Sequence, residues 1–191
     1  MKLEDSLGQE VDPALAEVVR FHGHLCPGLA IGFRAAKLAL ERLGAQRSED
    51  EELIAVVEND SCSVDAVQCL TGCTFGKGNF FFKDHGKQVF TFALRSSGRA
   101  VRIALKRRDL REGEPPVDDR EARTKWVLNV SSEQLFDIRE TELSMPAEAV
   151  IRKSVVCDRC GEEAMPCRIK KDGSRTLCIP CAREAGLASM E

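Results

Sequence analysis

The stretch Gln88-Val89-Phe90-Thr91-Phe92-Ala93-Leu94-Arg95-Ser96-Ser97-Gly98-Arg99-Ala100-Val101-Arg102-Ile103-Ala104-Leu105 decides the fold class. Two runs rich in branched and aromatic residues flank a Ser-Ser-Gly turn, the pattern of two antiparallel strands. Just upstream, Asn79–Lys83 reads as another strand, followed by a turn at Asp84-His85-Gly86. Three consecutive antiparallel strands joined by tight turns are therefore expected. Leu53–Val57 is a short, wholly apolar run and reads as a buried strand. Phe136-Asp137-Ile138 alternates in strand fashion.

Helical signals surround these strands. Asp12-Pro13 offers an N-cap acceptor and then proline at the first helical position, with Leu15, Val18 and Val19 as the apolar face. Gly23 and Pro27 end that helix. Gly28–Leu43 is apolar nearly all round, so it reads as a buried central helix that stops at Gly44. Ser63 reads as the cap of a helix through Leu70, and Ala122–Leu128 as a helix with Trp126 in its apolar face. Ser131-Ser132-Glu133-Gln134 resembles a capping box. Residues 1–11 read as a loose arm or a docking helix, and 106–121, with Pro115-Pro116, as a mobile surface loop.

The totals narrow the function. Of 191 residues 43% are hydrophobic, enough for a real core, and 28 basic against 31 acidic residues leave a net charge of −3. That balance gives no general attraction to nucleic acid. No apolar run approaches the roughly 18 residues of a membrane span. No secretory signal is visible either, so a cytoplasmic location is expected. Nine cysteines, an odd number, in such a chain point to metal or thiol chemistry rather than a disulfide framework.

The sharpest motif lies in the tail. Cys157-x-x-Cys160 and Cys178-x-x-Cys181 are two pairs separated by seventeen residues. Each pair brings two thiolates to one ion, and four complete a tetrahedral structural zinc site. Met165–Ile169, a turn at 171–173 and Ser174–Leu177 read as a hairpin, and Ala182–Leu187 as a helix. A knuckle, a hairpin and a second knuckle opening a helix make a treble clef. So short a unit depends on its metal for on the order of 10 kcal/mol of folding free energy. Cys167 reads as an apolar filler of the hairpin. The near-even charge of the tail favours a protein partner over nucleic acid. The expected architecture is thus α+β, an antiparallel sheet with packed helices over residues 1–152. A small C-terminal treble-clef zinc-binding domain follows over 153–191.

A second constellation is Phe21-His22-Gly23-His24-Leu25-Cys26-Pro27-Gly28. In an extended loop His22, His24 and Cys26 face one way. Imidazole and thiolate suit zinc and other borderline metals, and thiolate is also a nucleophile. The plainer alternative is two histidines bonded to backbone in a tight turn beside a buried cysteine. Cys62 is the natural second sulfur, close to Asp60 and Asp65. Cys69 is either core or ligand. Cys73 sits in a glycine-rich turn of the kind that holds reactive groups near a ligand. Gly72–Gly78 is one residue too short for a phosphate loop and has glycine where Ser or Thr should bind magnesium, which excludes nucleotide hydrolysis. Lys77 is either an anion contact or a solvated turn residue, and His85 is expected in an exposed turn.

With these motifs the chain resembles the FmdE-like family of formylmethanofuran dehydrogenase proteins. The resemblance rests on the 21–28 stretch, on Glu58-Asn59-Asp60-x-Cys62-x-x-Asp65-Ala66-x-Gln68, and on Gly72-Cys73-Thr74-x-Gly76-Lys77-Gly78-Asn79. It also includes Phe90-Thr91-Phe92 after Gly86-Lys87. It implies an α+β core, a homodimer and, in some members, a C-terminal treble-clef zinc finger. The family is named for a molybdenum or tungsten oxidoreductase of methanogenesis that interconverts carbon dioxide with a formyl group on methanofuran. The ferredoxin cysteine spacing is absent here. The resemblance implies a metal-binding or active-site role for His22, His24, Cys26, Cys62, Asp65 and Cys73.

The expectation is a metalloprotein with zinc in the tail and a second ion, zinc or another transition metal, in a core cleft that takes a small-molecule ligand. Cys26 or Cys62 would serve as thiolate ligand or nucleophile, Asp65 as proton carrier or ligand orienter, and Lys77 as anion contact. The alternatives are a metal-responsive adaptor acting through the zinc finger, or a thiol redox protein using Cys26, Cys62 and Cys73.

Overall fold

The computed structural model describes residues 12–187. The expected arm at 1–11 lies outside them. The chain divides into two compact units, one ending at Glu148 and the other beginning at Ala149.

The first unit begins with α1 (Pro13–His22), capped by Asp12, whose Oδ1 accepts from Ala14 N at 2.9 Å. Then come α2 (Pro27–Leu43), β1 (Leu53–Val57), α3 (Ser63–Thr71), β2 (Phe80–Phe82), β3 (Val89–Leu94) and β4 (Arg99–Leu105). It closes with α4 (Arg120–Asn129), α5 (Ser132–Leu135) and β5 (Phe136–Glu142). The sheet order is β2-β1-β3-β4-β5. All neighbours are antiparallel except β1 and β2, which run parallel with Val57 opposite Phe82. The fold is α+β with an antiparallel-dominated sheet.

One pairing differs from the expectation. β2 does not form a hairpin with β3, because β1 lies between them. Every residue of β1 is buried, and such a strand needs its backbone paired on both sides. The 83–88 connection crosses the end of β1 instead of turning tightly. Lys83 N donates to Val57 O at 2.9 Å, Lys87 N to Glu58 O at 2.8 Å, and Glu58 N to Val89 O at 3.0 Å.

The core lies between one face of the sheet and α2. Phe90, Phe92, Ile103 and Phe136 are fully or almost fully buried there, each side chain worth about 2 kcal/mol. Ala30, Ala35, Ala36 and Ala39 of α2 meet them with no exposed surface. Small residues let α2 approach closely, and Gly32 closest of all. A Cβ there would lie 2.1 Å from the carbonyl oxygen of Ser63. α2 and α3 therefore cross in backbone contact, and this sets the spacing of their N-termini.

Two polar devices complete the unit. Arg34, on α2, donates to the carbonyls of Val127 (2.7 Å), Leu128 (2.9 Å) and Val130 (2.7 Å), closing the C-terminal end of α4. The 106–121 segment, expected to be mobile, is instead tied around Glu114. That carboxylate is 1% exposed and lies 3.1 Å from both Arg111 and Arg123. A carboxylate so buried needs such partners to remain charged. Among the described residues no helix is long and apolar enough to cross a membrane.

The second unit holds two short pairs, β6 (Val155–Val156) with β7 (Glu163–Ala164) and β8 (Ile169–Asp172) with β9 (Arg175–Cys178), followed by α6 (Ile179–Glu184). The hairpin is there but turns at Gly173-Ser174, and the helix starts at Ile179 because Cys178 occupies its N-cap. Cys167 is exposed in a single turn at Pro166–Arg168 and fills nothing. Leu177, with no exposure, is the filler.

Candidate metal centres

The core cluster forms where α1 ends and α2 and α3 begin. His22 is the last residue of α1, so the motif is not extended throughout as the sequence spacing suggested. Gly23, at φ 100°, ends the helix and turns the chain back. His24 follows in an exposed loop, and Cys26 caps α2 in an extended conformation, its sulfur accepting from Leu29 N at 3.4 Å. The result still gathers the three groups. One ring nitrogen each of His22 and His24 and the Cys26 sulfur all lie within 4.8 Å of one another. The two imidazole rings are 4.6 Å apart and tilted by 37°.

Asp65, in the first turn of α3, reaches His22 Nδ1 with Oδ2 at 2.7 Å. In the neutral imidazole this bond holds the proton on Nδ1 and leaves the lone pair on Nε2. His22 Nε2 is buried and has no hydrogen-bond partner among the described residues. A buried nitrogen lone pair beside a second imidazole and a cysteine sulfur, with its far side held by a carboxylate, is what a borderline metal ion requires of a protein. The residues present fit such an ion. The plainer alternative, histidines bonded to backbone, does not describe His22.

Cys62 caps α3 without a side-chain capping bond and stands next to Cys26, outside the three-atom group. Burial pushes its thiol up, and the neighbouring Cys26 thiol pushes the same way. Its turn is set by Asn59, whose Oδ1 accepts from Ser61 N at 3.2 Å while its Nδ2 donates to Lys87 O at 2.9 Å. Ser63, expected as the helix cap, is the first helical residue, and its hydroxyl lies 3.1 Å from both Asn59 Oδ1 and Gln88 Oε1. Nothing in the spacing from 59 to 88 signals that network.

Four other residues singled out by the sequence sit elsewhere. Cys73 is fully buried in the main core, its thiol donating to Leu53 O at 3.3 Å and pushed up to about 11 by burial. The glycine-rich turn does not present it to a ligand. Lys77 is spent on the carbonyls of Ser48 (2.9 Å) and Glu49 (3.2 Å). Cys69 packs among Leu15, Val18 and Phe33 as a core residue. His85 is half exposed and bonded to Glu58 at 3.0 Å.

In the second unit the sulfurs of Cys157, Cys160, Cys178 and Cys181 all lie within 4.8 Å of one another. Three are buried and Cys160 is exposed. Backbone amides serve the sulfurs, with Cys178 N donating to Cys157 Sγ at 3.3 Å. The Cys157 thiol is drawn down to about 6, first by the Cys160 amide and then by those of Cys178 and Arg159. The Cys181 thiol is pushed up to about 12, first by the Cys178 sulfur and then by burial. One thiolate is thus preformed and the remaining sulfurs converge on it. A closed four-sulfur shell can hold a metal such as zinc.

Known proteins share this chain's pattern. Residues 21–151 match the family model described as FmdE, molybdenum formylmethanofuran dehydrogenase operon. A protein of Archaeoglobus fulgidus described as a probable S-adenosyl-L-methionine-binding protein is 30% identical over 194 residues, covering 88% of this chain and 52% of that protein. The chain thus spans about half the length of that curated relative. A crystal structure of a tungsten formylmethanofuran dehydrogenase FmdE-like protein from Syntrophus aciditrophicus matches with a TM-score of 0.62 at 25% identity over 100% of both chains.

Proposed function

The chain belongs to the FmdE family, and on that premise we propose that it is a metalloprotein with a reactive mononuclear centre in its core and a structural zinc in its tail. His22 Nε2, His24 and Cys26 hold the core ion. Asp65 fixes the ring and tautomer of His22 and raises the basicity of the ligating nitrogen. With three protein ligands rather than four, the donor set resembles catalytic rather than structural sites. An ion held by these residues would supply Lewis-acid polarisation of a carbonyl, formyl or sulfur-bearing ligand. Cys62, close to the cluster but outside it, is the adjacent thiol rather than a fourth ligand. One-carbon redox metabolism is the chemistry that the family name supports, and the protein acts in the cytoplasm as a homodimer.

The observation that carries this reading is the buried, partnerless Nε2 of His22 with Asp65 on its other nitrogen. Elemental analysis tests it. Two metal ions per chain are expected, falling to one in Cys26→Ser and in His22→Ala, with the tail zinc retained. An unchanged metal content in both variants refutes the core assignment.

The Archaeoglobus fulgidus relative supports a second reading for the ligand, S-adenosyl-L-methionine. A groove of about 370 Å³ lined by Leu15, Phe33, Lys37, Leu38, Glu41 and Leu128 is of a size that holds small ligands. Calorimetric titration with S-adenosyl-L-methionine decides it, absence of binding at millimolar concentration removing this reading.

A further inference from the structure

The crossing of α2 and α3 does more than place the ligands. Because Gly32 lies against the Ser63 backbone, the two N-caps, Cys26 and Cys62, are carried side by side. A Cβ added at Gly28 would lie 3.3 Å from Cys62 Cβ, 3.9 Å from Cys62 Sγ and 4.0 Å from Cys26 Sγ. Both sulfurs thus border the same small space, which glycine keeps open. The first unit has two further cysteines. Cys69 is buried among apolar side chains, and Cys73 is fully buried and bonded to the Leu53 carbonyl. Cys26 and Cys62 are the adjacent pair. They also differ in access, Cys26 being 4% exposed and Cys62 half-buried.

We propose that Cys26 and Cys62 form a reversible disulfide by exchange with a low-molecular-weight disulfide, and that closing this bond ejects the core ion by removing its sulfur ligand. Cys62, the accessible member, attacks one sulfur of the disulfide RS–SR as thiolate. The bond Cys62–SR forms, the RS–SR bond breaks, and the departing RS⁻ takes up the proton that Cys62 lost. The Cys26 sulfur, leaving the ion, then attacks Cys62 Sγ, the Cys26–Cys62 bond forms, the Cys62–SR bond breaks, and the second RS⁻ takes a proton from water and leaves as RSH. Two protein thiols are oxidised and one external disulfide is reduced to two thiols. The bridge itself rests on the position of the two sulfurs alone. The loss of metal rests also on the core-metal reading above.

The test uses the full-length, metal-loaded protein treated with oxidised glutathione. Free thiols are then alkylated, the protein is digested with trypsin, and metal is counted before and after. The expected product is a peptide pair joining residues 21–34 to 48–77, assigned by fragmentation to Cys26–Cys62. It should appear together with the loss of one metal equivalent per chain, and dithiothreitol should reverse both. In Cys26→Ser the second step is blocked, so glutathione should remain on Cys62 while Cys69 and Cys73 stay unmodified, which also shows that the variant is folded. A bridge without loss of metal upholds the disulfide and overturns the release. Wild-type protein that keeps its full metal complement and forms no bridge, together with no glutathione adduct on Cys62 in Cys26→Ser, overturns the proposal and leaves the metal reading standing. Bridging through Cys69 or Cys73 instead overturns it as well.

Discussion

His22 Nδ1 and Asp65 Oδ2 lie 2.7 Å apart, joining the last turn of α1 to the first turn of α3 across 43 residues of sequence. That bond orients the imidazole whose other nitrogen has no partner among the described residues. It converts a pair of nearby histidines into a directed ligand set.

Asp65→Asn keeps the shape and removes the charge. Core-metal affinity is expected to fall by a factor of about 10–100, as for other outer-shell partners of metal-bound histidine. Competition with a chromophoric chelator measures it, and the tail zinc serves as the internal reference. An unaltered affinity would show that the carboxylate has no part in holding the ion.

Cys73→Ala and Lys77→Ala are expected to leave the core-metal content unchanged. Cys73 faces the Leu53 carbonyl in the core, and Lys77 faces the carbonyls of Ser48 and Glu49. Each change should cost only about 1 kcal/mol of stability in denaturant titrations. Loss of metal in either variant, with the fold intact by circular dichroism, would return that residue to the site.

Gly32→Ala is expected to be severe. Its Cβ meets Ser63 backbone at 2.1 Å, where no flexible group can yield, so α2 and α3 must separate. Destabilisation of about 3 kcal/mol is expected, with weakened core-metal binding because Cys26 and Asp65 ride on the two helices. A variant with wild-type stability and metal content would contradict the close crossing.

The tail should lose metal as pH falls. The folded pKa of Cys157, drawn to about 6, lies below the ordinary thiol value, so its stabilising contribution is complete above that ordinary value and disappears as pH falls through about 6. Zinc transfer to a chelator is expected to steepen below that point. Zinc uptake at neutral pH should release protons, among them that of Cys181, whose thiol is pushed up to about 12. Calorimetry in buffers of different ionisation enthalpy counts them. A pH-independent transfer rate would show that Cys157 is not the preformed thiolate.

Local signals were legible wherever the physics is local. The Asp12-Pro13 start of α1, the stops at Gly23 and Gly44, the buried run of β1 and the tail pairs all follow from capping geometry, glycine at positive φ, apolar periodicity and ligand spacing. What could not be read depends on residues far apart in the chain. The parallel seat of β2 beyond β1 is one case, since a hairpin-like turn signal at 84–86 says nothing of which edge a strand joins. Glu114 is another, because three arginines make a loop of charged residues into packed structure.

The candidate site divides the same way. Sequence alone determined that His22, His24 and Cys26 form a compact donor group and that four tail cysteines can share one ion, because a few residues of chain bound how far their side chains can lie apart. Only the tertiary structure decided which distant groups join them. Backbone contact between Gly32 and Ser63 brings Cys62 and Asp65 to the cluster, while the demand of a buried core for apolar, satisfied groups takes Cys73 and Cys69 away from it.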